Sequence, residues 1–203
     1  MNLNVLKPGK AVEQAFEKPN VPLALVLVLL PALASIAGSF AFGTAPKIEA
    51  MAYSVIMAFL TFFVLTVVVF LLGFLVNPKA AKGKGSGLLS ALALAQILSL
   101  FVILVSFAAI PLVVAPQAME MLAEAGSSPS PEIRAVQINS FLTQNPTAIN
   151  LPALAVFLAV AFAAFILGLY IIYLAVKRFT ESRKLVALAL MLISMLILGF
   201  LPL

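Results

Sequence analysis

The sequence contains no histidine, no cysteine and no tryptophan, and its seven acidic residues are all glutamate. Without histidine or cysteine, a chain cannot form a disulfide, supply a thiolate nucleophile, or ligate zinc, haem or an iron–sulfur cluster in the ordinary ways. The remaining acids and bases lie between apolar segments, where no nucleophile, base and oxyanion donor share a recognisable motif. We therefore predict no catalytic residue, no metal and no cofactor, and we expect that the protein is not an enzyme.

Charge is also scarce. Only 9% of residues are charged, whereas 64% are hydrophobic. A soluble domain needs about a quarter of its residues charged to cover its surface. This composition indicates an integral membrane protein, which we expect in the cell membrane as a multi-pass chain.

Five apolar runs are long enough to cross a hydrocarbon core, which takes roughly 20 helical residues. None contains lysine, arginine or glutamate. Continuous apolar runs exclude the alternating strands of a barrel, so the predicted fold is an all-α membrane bundle of five transmembrane helices, residues 22–203. The predicted spans are 22–43, 51–76, 88–114, 153–176 and 185–202.

The basic residues between the spans are unequally divided. Ten fall on the side of the N-terminus: Lys7, Lys10, Lys18, Lys79, Lys82, Lys84, Lys177, Arg178, Arg183 and Lys184. The opposite side holds only Lys47 and Arg134. The positive-inside rule predicts that the N-terminus is cytoplasmic and the C-terminus outside.

The inner basic residues have two interpretations. They fix the topology alone, or they also contact anionic lipid headgroups, for which they are suitably placed. Dispersed juxtamembrane lysines do not indicate nucleic-acid binding, so the lipid bilayer is the partner predicted from charge. The candidate headgroup contacts are Lys79, Lys82, Lys84, Lys177, Arg178, Arg183 and Lys184.

Two segments lie outside the spans. The cytoplasmic lead, residues 1–21, carries Pro8 followed by apolar residues at helical spacing, which predicts a short interfacial helix. The loop 115–152 contains two helix-like stretches, which predict a helical hairpin on the outer face between the third and fourth spans. This hairpin either binds a partner or serves as a lid without a ligand.

Polar groups inside the spans are few. The absence of ionisable side chains argues against a proton-coupled pump. Gln96 is a candidate intramembrane polar contact: an interhelical hydrogen bond or, alternatively, a substrate contact. Pro31 and Pro111 are predicted to kink the first and third helices. Small residues spaced by four, including Ala159/Ala163 and Ala164/Gly168, predict close helix packing, within one chain or between chains.

Three local patterns resemble the Yip1-domain family of membrane proteins. They are "PGKAVEQAF" (8–16), "KGKGSGLLSALALAQ" (82–96) and "VKRFTESRKLVALALM" (176–191). The resemblance implies five spans with the N-terminus in the cytoplasm. Eukaryotic members act in vesicle traffic, bind Rab GTPases and associate with one another, and their lead is longer than 21 residues. The short lead and loops therefore imply a prokaryotic member, with an archaeal one as the narrower expectation, and no GTPase-binding residue is carried over.

Three hypotheses about function remain open. The first is a non-enzymatic Yip1-like protein that organises the membrane or supports other membrane proteins, or copies of itself, through helix–helix contacts. The second is a small-solute channel or permease with Gln96 near its pathway. The third is an accessory subunit of a larger membrane complex.

Overall fold

The structure is a computed structural model that describes residues 5–41, 47–119, 136, 139–141 and 143–200. Its named elements are all α-helices, joined by short turns or by the loop after the sixth. They are α1 (Pro8–Glu17), α2 (Val21–Ala41), α3 (Ile48–Val76), α4 (Pro78–Ala81), α5 (Gly85–Ala93), α6 (Ala95–Val113), α7 (Leu151–Thr180) and α8 (Lys184–Phe200).

Four helical stretches in the described part of the chain are long and apolar enough to cross a membrane. They are Val21–Phe40, Ile48–Val76, Gly85–Val113 and Leu151–Thr180, with mean hydropathies of 2.4 to 3.0. The third joins α5 and α6 through Leu94, whose N–H donates to the Ala91 carbonyl at 3.3 Å in a tightened turn. The all-helical, membrane-spanning character predicted from the sequence is confirmed.

The fifth predicted span corresponds to α8, which has 17 residues in the structure. At 1.5 Å per residue, such a helix is about 25 Å long, shorter than the ~30 Å hydrocarbon core. Its status as a span, and the orientation of the whole bundle, stay predictions.

Asparagine side chains begin three of the helices. The Oδ1 atoms of Asn20, Asn77 and Asn150 accept backbone N–H groups three residues ahead, at 3.0, 3.2 and 3.2 Å. Each bond satisfies a donor that the first helical turn leaves free. The caps fix where the chain turns back into the bundle.

Connections between the long helical stretches lie at two ends of the bundle. At one end, the Asn77 Nδ2 donates to the Thr180 carbonyl at 2.9 Å, which joins the ends of α3 and α7. At the other end, an antiparallel bridge joins Val114 to Ile149. The long helices pack as α2 against α3 and α6, α6 against α7, and α8 against both α3 and α7.

Helix α1 does not stand apart from the bundle. Its apolar face, Ala11, Val12 and Ala15, is buried, and it packs against α5 and α7. The Phe16 ring lies against Gly87 at the start of α5. The helix predicted in the lead therefore has protein under its apolar face, and its placement at the membrane surface stays a prediction.

Two further predictions are not tested by the structure. Pro31 lies inside α2 and Pro111 inside α6, and each helix continues past its proline. The predicted kinks are untested.

Most of the predicted outer hairpin, residues 120–135 together with 137–138 and 142, lies outside the described residues. The described parts of that loop include helical residues at 116–119 and 139–141.

Candidate functional site

Three segments that carry basic residues meet at one end of the bundle. They are α1, the turn 82–84 before α5, and the turn 181–183 between α7 and α8. The Lys84 Nζ donates to Glu181 Oε1 at 2.5 Å across 97 residues of sequence. The Arg178 Nη2 lies 3.8 Å from Glu13 Oε1, which joins the end of α7 to α1.

A groove of about 550 Å³ lies between α1 and the charged end of α7. Its lining residues are mostly polar or charged, and two of them are apolar. The lining residues are Gly9, Lys10, Val12, Glu13, Leu174, Lys177, Arg178, Glu181 and Ser182. We refer to this feature as the α1–α7 groove.

The carboxylate of Glu181 is held in its charged form. The hydrogen bond from Lys84 and the positive charge of that residue lower the pKa of Glu181, and the charge of Arg178 adds to the effect. Glu181 has a left-handed backbone, with φ of 50°. This conformation reverses the chain after α7 and places the carboxylate between the turn at Lys84 and the groove.

Hydrogen bonds of partly or fully buried polar side chains lie next to the turn 181–183 and at the start of α2. The Thr180 Oγ1 donates to the Val176 carbonyl at 2.9 Å and lies 2.7 Å from the Ser182 Oγ. At the start of α2, the Asn20 N–H donates to the Ser90 Oγ at 3.1 Å, and Ser90 is fully buried. The Thr180 contacts thus hold the end of α7 to the turn that follows it, and the Asn20–Ser90 bond joins the start of α2 to α5.

Asn77 provides the first test of this arrangement. Replacing Asn77 by serine keeps an N-cap but removes the donor to Thr180, so we expect about 1 kcal/mol less unfolding free energy. Replacing it by alanine removes the cap as well, and we expect about 2 kcal/mol. Unfolding by sodium dodecyl sulfate in detergent micelles measures both. Asn145→Ala, an exposed local contact, is the control, and equal losses in all three variants would contradict the assignment.

The structure brings only some of the predicted headgroup residues together. Lys177 and Arg178 line the α1–α7 groove, and Lys84 is bonded to the Glu181 that lines it. Lys79, Lys82, Arg183 and Lys184 lie exposed at the same end, outside the groove. Binding of headgroups by any of the seven stays a prediction.

Gln96 lies on a second groove, of about 460 Å³, between α6 and α7 within the apolar part of the bundle. Ser99 lines the same groove, and most of the other lining residues are apolar. Within the described part of the chain, the Gln96 amide makes no hydrogen bond to another helix. Its predicted interhelical bond stays a prediction.

The small-residue stripes divide into inward and outward sets. Ala164 is buried, and a β-carbon added at Gly168 would lie 3.8 Å from the Leu98 Cδ1 of α6. Ala155, Ala159 and Ala163 instead lie exposed along the other side of α7. One helix therefore presents small residues both to its own chain and away from it.

Sequence reasoning missed Lys10, Glu13 and Glu181 as members of one site. Residue 10 becomes a neighbour of 177 only because α1 docks on α7, and no local pattern reports that contact. The asparagine caps have a signature in the sequence, because Asn77 and Asn150 each come just before a helix with proline in its first turn. Among the described residues, no group of three or more histidine, cysteine or acidic side chains could hold a metal ion.

Comparison with known proteins gives one result that bears on identity. Neither a curated protein nor a solved structure matches the sequence. The Yip1 domain model matches residues 3–203, which is nearly the whole chain. The protein is thus a member of the Yip1 domain family.

Proposed function

We propose that this chain is a non-enzymatic membrane protein of Yip1 type that organises the membrane or supports other membrane proteins through helix–helix contacts. Family membership and four apolar helices establish a multi-pass membrane protein in general terms. The observation that carries the more specific proposal is the uncovered surface of α7.

Helix α7 is the least covered of the membrane-length helices. Only 11% of its apolar window is buried within the chain, against 39% for Gly85–Val113. On its uncovered side, Ala155, Ala159 and Ala163 recur at four-residue spacing. Lipid provides no hydrophobic force between helices, so small residues that permit close backbone approach favour their association. We name these three alanines the outer α7 stripe.

The topology belongs to the proposal. We propose five spans, with α8 as the fifth, the N-terminus in the cytoplasm, the C-terminus outside, the 115–152 hairpin on the outer face, and residence in the cell membrane. The clustering of Lys84, Lys177 and Arg178 at one end supports this orientation. The short turns at 82–84 and 181–183 favour a prokaryotic member, an archaeal one being the narrower form of the hypothesis.

The outer α7 stripe is tested by paired substitution. We expect the full chain, purified in mild detergent, to retain a bound partner, either a second copy of itself or membrane proteins in variable amounts, identified by mass spectrometry and crosslinking. Ala159→Leu combined with Ala163→Leu should reduce recovery of that partner about tenfold or more, because leucine blocks close approach. The control, Ala189→Leu on the exposed side of α8, should leave recovery unchanged.

Three outcomes contradict the proposal. They are a clean monomer, equal losses in the stripe and control variants, and hydrolysis of a substrate by the purified chain.

The Gln96-lined groove favours a small-solute permease as the second candidate. Solute flux into liposomes that Gln96→Leu abolishes would select that candidate. A constant heteromeric partner of fixed stoichiometry would identify the chain as an accessory subunit.

A further inference from the structure

The α1–α7 groove lies where α7 passes from apolar to charged sequence. Leu174 lines its membrane side, and Lys177, Arg178 and Ser182 follow within two further turns. Lys10 enters from α1, which is held in place by its buried face, Ala11, Val12 and Ala15. The groove is therefore bounded by two separately anchored helices, at the end where the apolar sequence of a membrane-length helix is followed by charged residues.

The charges of the groove are not balanced. It is lined by three cations, Lys10, Lys177 and Arg178, and by two carboxylates, Glu13 and Glu181. Glu181 forms an ion pair with Lys84, which does not line the groove. The Glu13 carboxylate lies 3.8 Å from the guanidinium of Arg178. Within the described part of the chain, neither Lys10 nor Lys177 has a carboxylate within ion-pair distance. Two ammonium groups are thus available to a ligand of opposite charge.

We propose that the α1–α7 groove binds a phosphate group, through Lys10 and Lys177 with Arg178 as a further donor. Ammonium and guanidinium groups form charge-assisted hydrogen bonds with phosphate oxygens. The phosphate comes either from the headgroup of an anionic phospholipid, whose chains would leave past Leu174, or from a free phosphate ion or ester. This proposal is independent of the outer α7 stripe, which lies on another part of α7.

The test measures ligand binding to the full chain in neutral detergent by native mass spectrometry. Phosphatidylglycerol, phosphatidylcholine and inorganic phosphate are titrated separately. We expect one ligand per chain, with the net anionic lipid bound more tightly than the zwitterionic lipid. Lys10→Gln combined with Lys177→Gln should weaken binding about 25-fold, from about fivefold for each basic residue. Lys10→Arg combined with Lys177→Arg should restore it, which separates the lost charge from a folding defect.

The control removes the same charge from the same end of the bundle. Lys7 and Lys18 lie directly before and after α1 and outside the groove, so Lys7→Gln with Lys18→Gln should change affinity by less than about twofold. Tight lipid binding that inorganic phosphate fails to displace assigns the site to a headgroup. Binding of inorganic phosphate without tight binding of the lipid assigns the site to a free phosphate. Equal weakening by both glutamine pairs, or equal binding of the anionic and zwitterionic lipids without binding of inorganic phosphate, overturns the proposal.

Discussion

Replacing Phe179 by alanine is expected to lower the free energy of unfolding by about 3–5 kcal/mol, the cost of removing a large ring from a closed core. Phe179 is completely buried, and its ring packs on that of Phe70 with centroids 5.6 Å apart. Unfolding by sodium dodecyl sulfate in detergent micelles measures the loss. Phe162→Ala, on the same helix but 64% exposed, is the control and should cost less than about 1 kcal/mol.

A second substitution tests the same contact from the facing helix. A β-carbon on Gly73 would lie 2.5 Å from a Phe179 ring carbon, and the buried ring has no space to retreat. Gly73→Ala should therefore cost about 1–3 kcal/mol. When Phe179 is already alanine, adding Gly73→Ala should cost clearly less, because only the contact with the Thr180 Cγ2, at 3.0 Å, remains. Additive losses would show that the two residues do not meet.

The second large effect concerns the docking of α1. Since the natural chain has no cysteine, a single introduced thiol reports accessibility without background. We expect Ala15→Cys, at a completely buried position, to react with a maleimide about 100-fold more slowly than Gln14→Cys at the exposed neighbouring position. The rates are followed by mass spectrometry in detergent.

Undocking α1 should abolish that protection. A β-carbon on Gly87 would lie 2.6 Å from Phe16 Cδ1 and 3.1 Å from the Phe16 Cα. Because part of the obstacle is backbone, Gly87→Leu should displace the whole helix and bring the Ala15→Cys rate within about threefold of the control. Protection that survives Gly87→Leu would mean that detergent or lipid, not α5 and α7, covers the apolar face.

Sequence reasoning succeeded where the solvent decides the structure. Long uncharged runs such as 51–76 have one stable arrangement in hydrocarbon, a helix that satisfies its own backbone, so the all-helical membrane fold was predictable. The local patterns at 8–16, 82–96 and 176–191 also sufficed to identify the family, which the match over residues 3–203 confirms. Span number and orientation depend on a bilayer and stay predictions.

The groove could not be predicted because it depends on contacts between distant residues. Counting charges in each loop places Lys84 and Glu181 on one side of the membrane but does not pair them across 97 residues. The apolar positions of α1 are equally compatible with packing on lipid and with packing on protein. The burial of that face against α5 and α7 and the fit of Phe16 against Gly87 distinguish these environments, and neither has a signature in one sequence.

The distribution of buried side chains has a mechanical consequence. Leu88, Leu92 and Phe179 are fully buried within a few turns of the charged end, while the described connection at the far end includes the backbone bridge between Val114 and Ile149. These side chains belong to one buried cluster that also contains the apolar face of α1. Opening the charged end therefore requires several helices to separate together rather than one at a time.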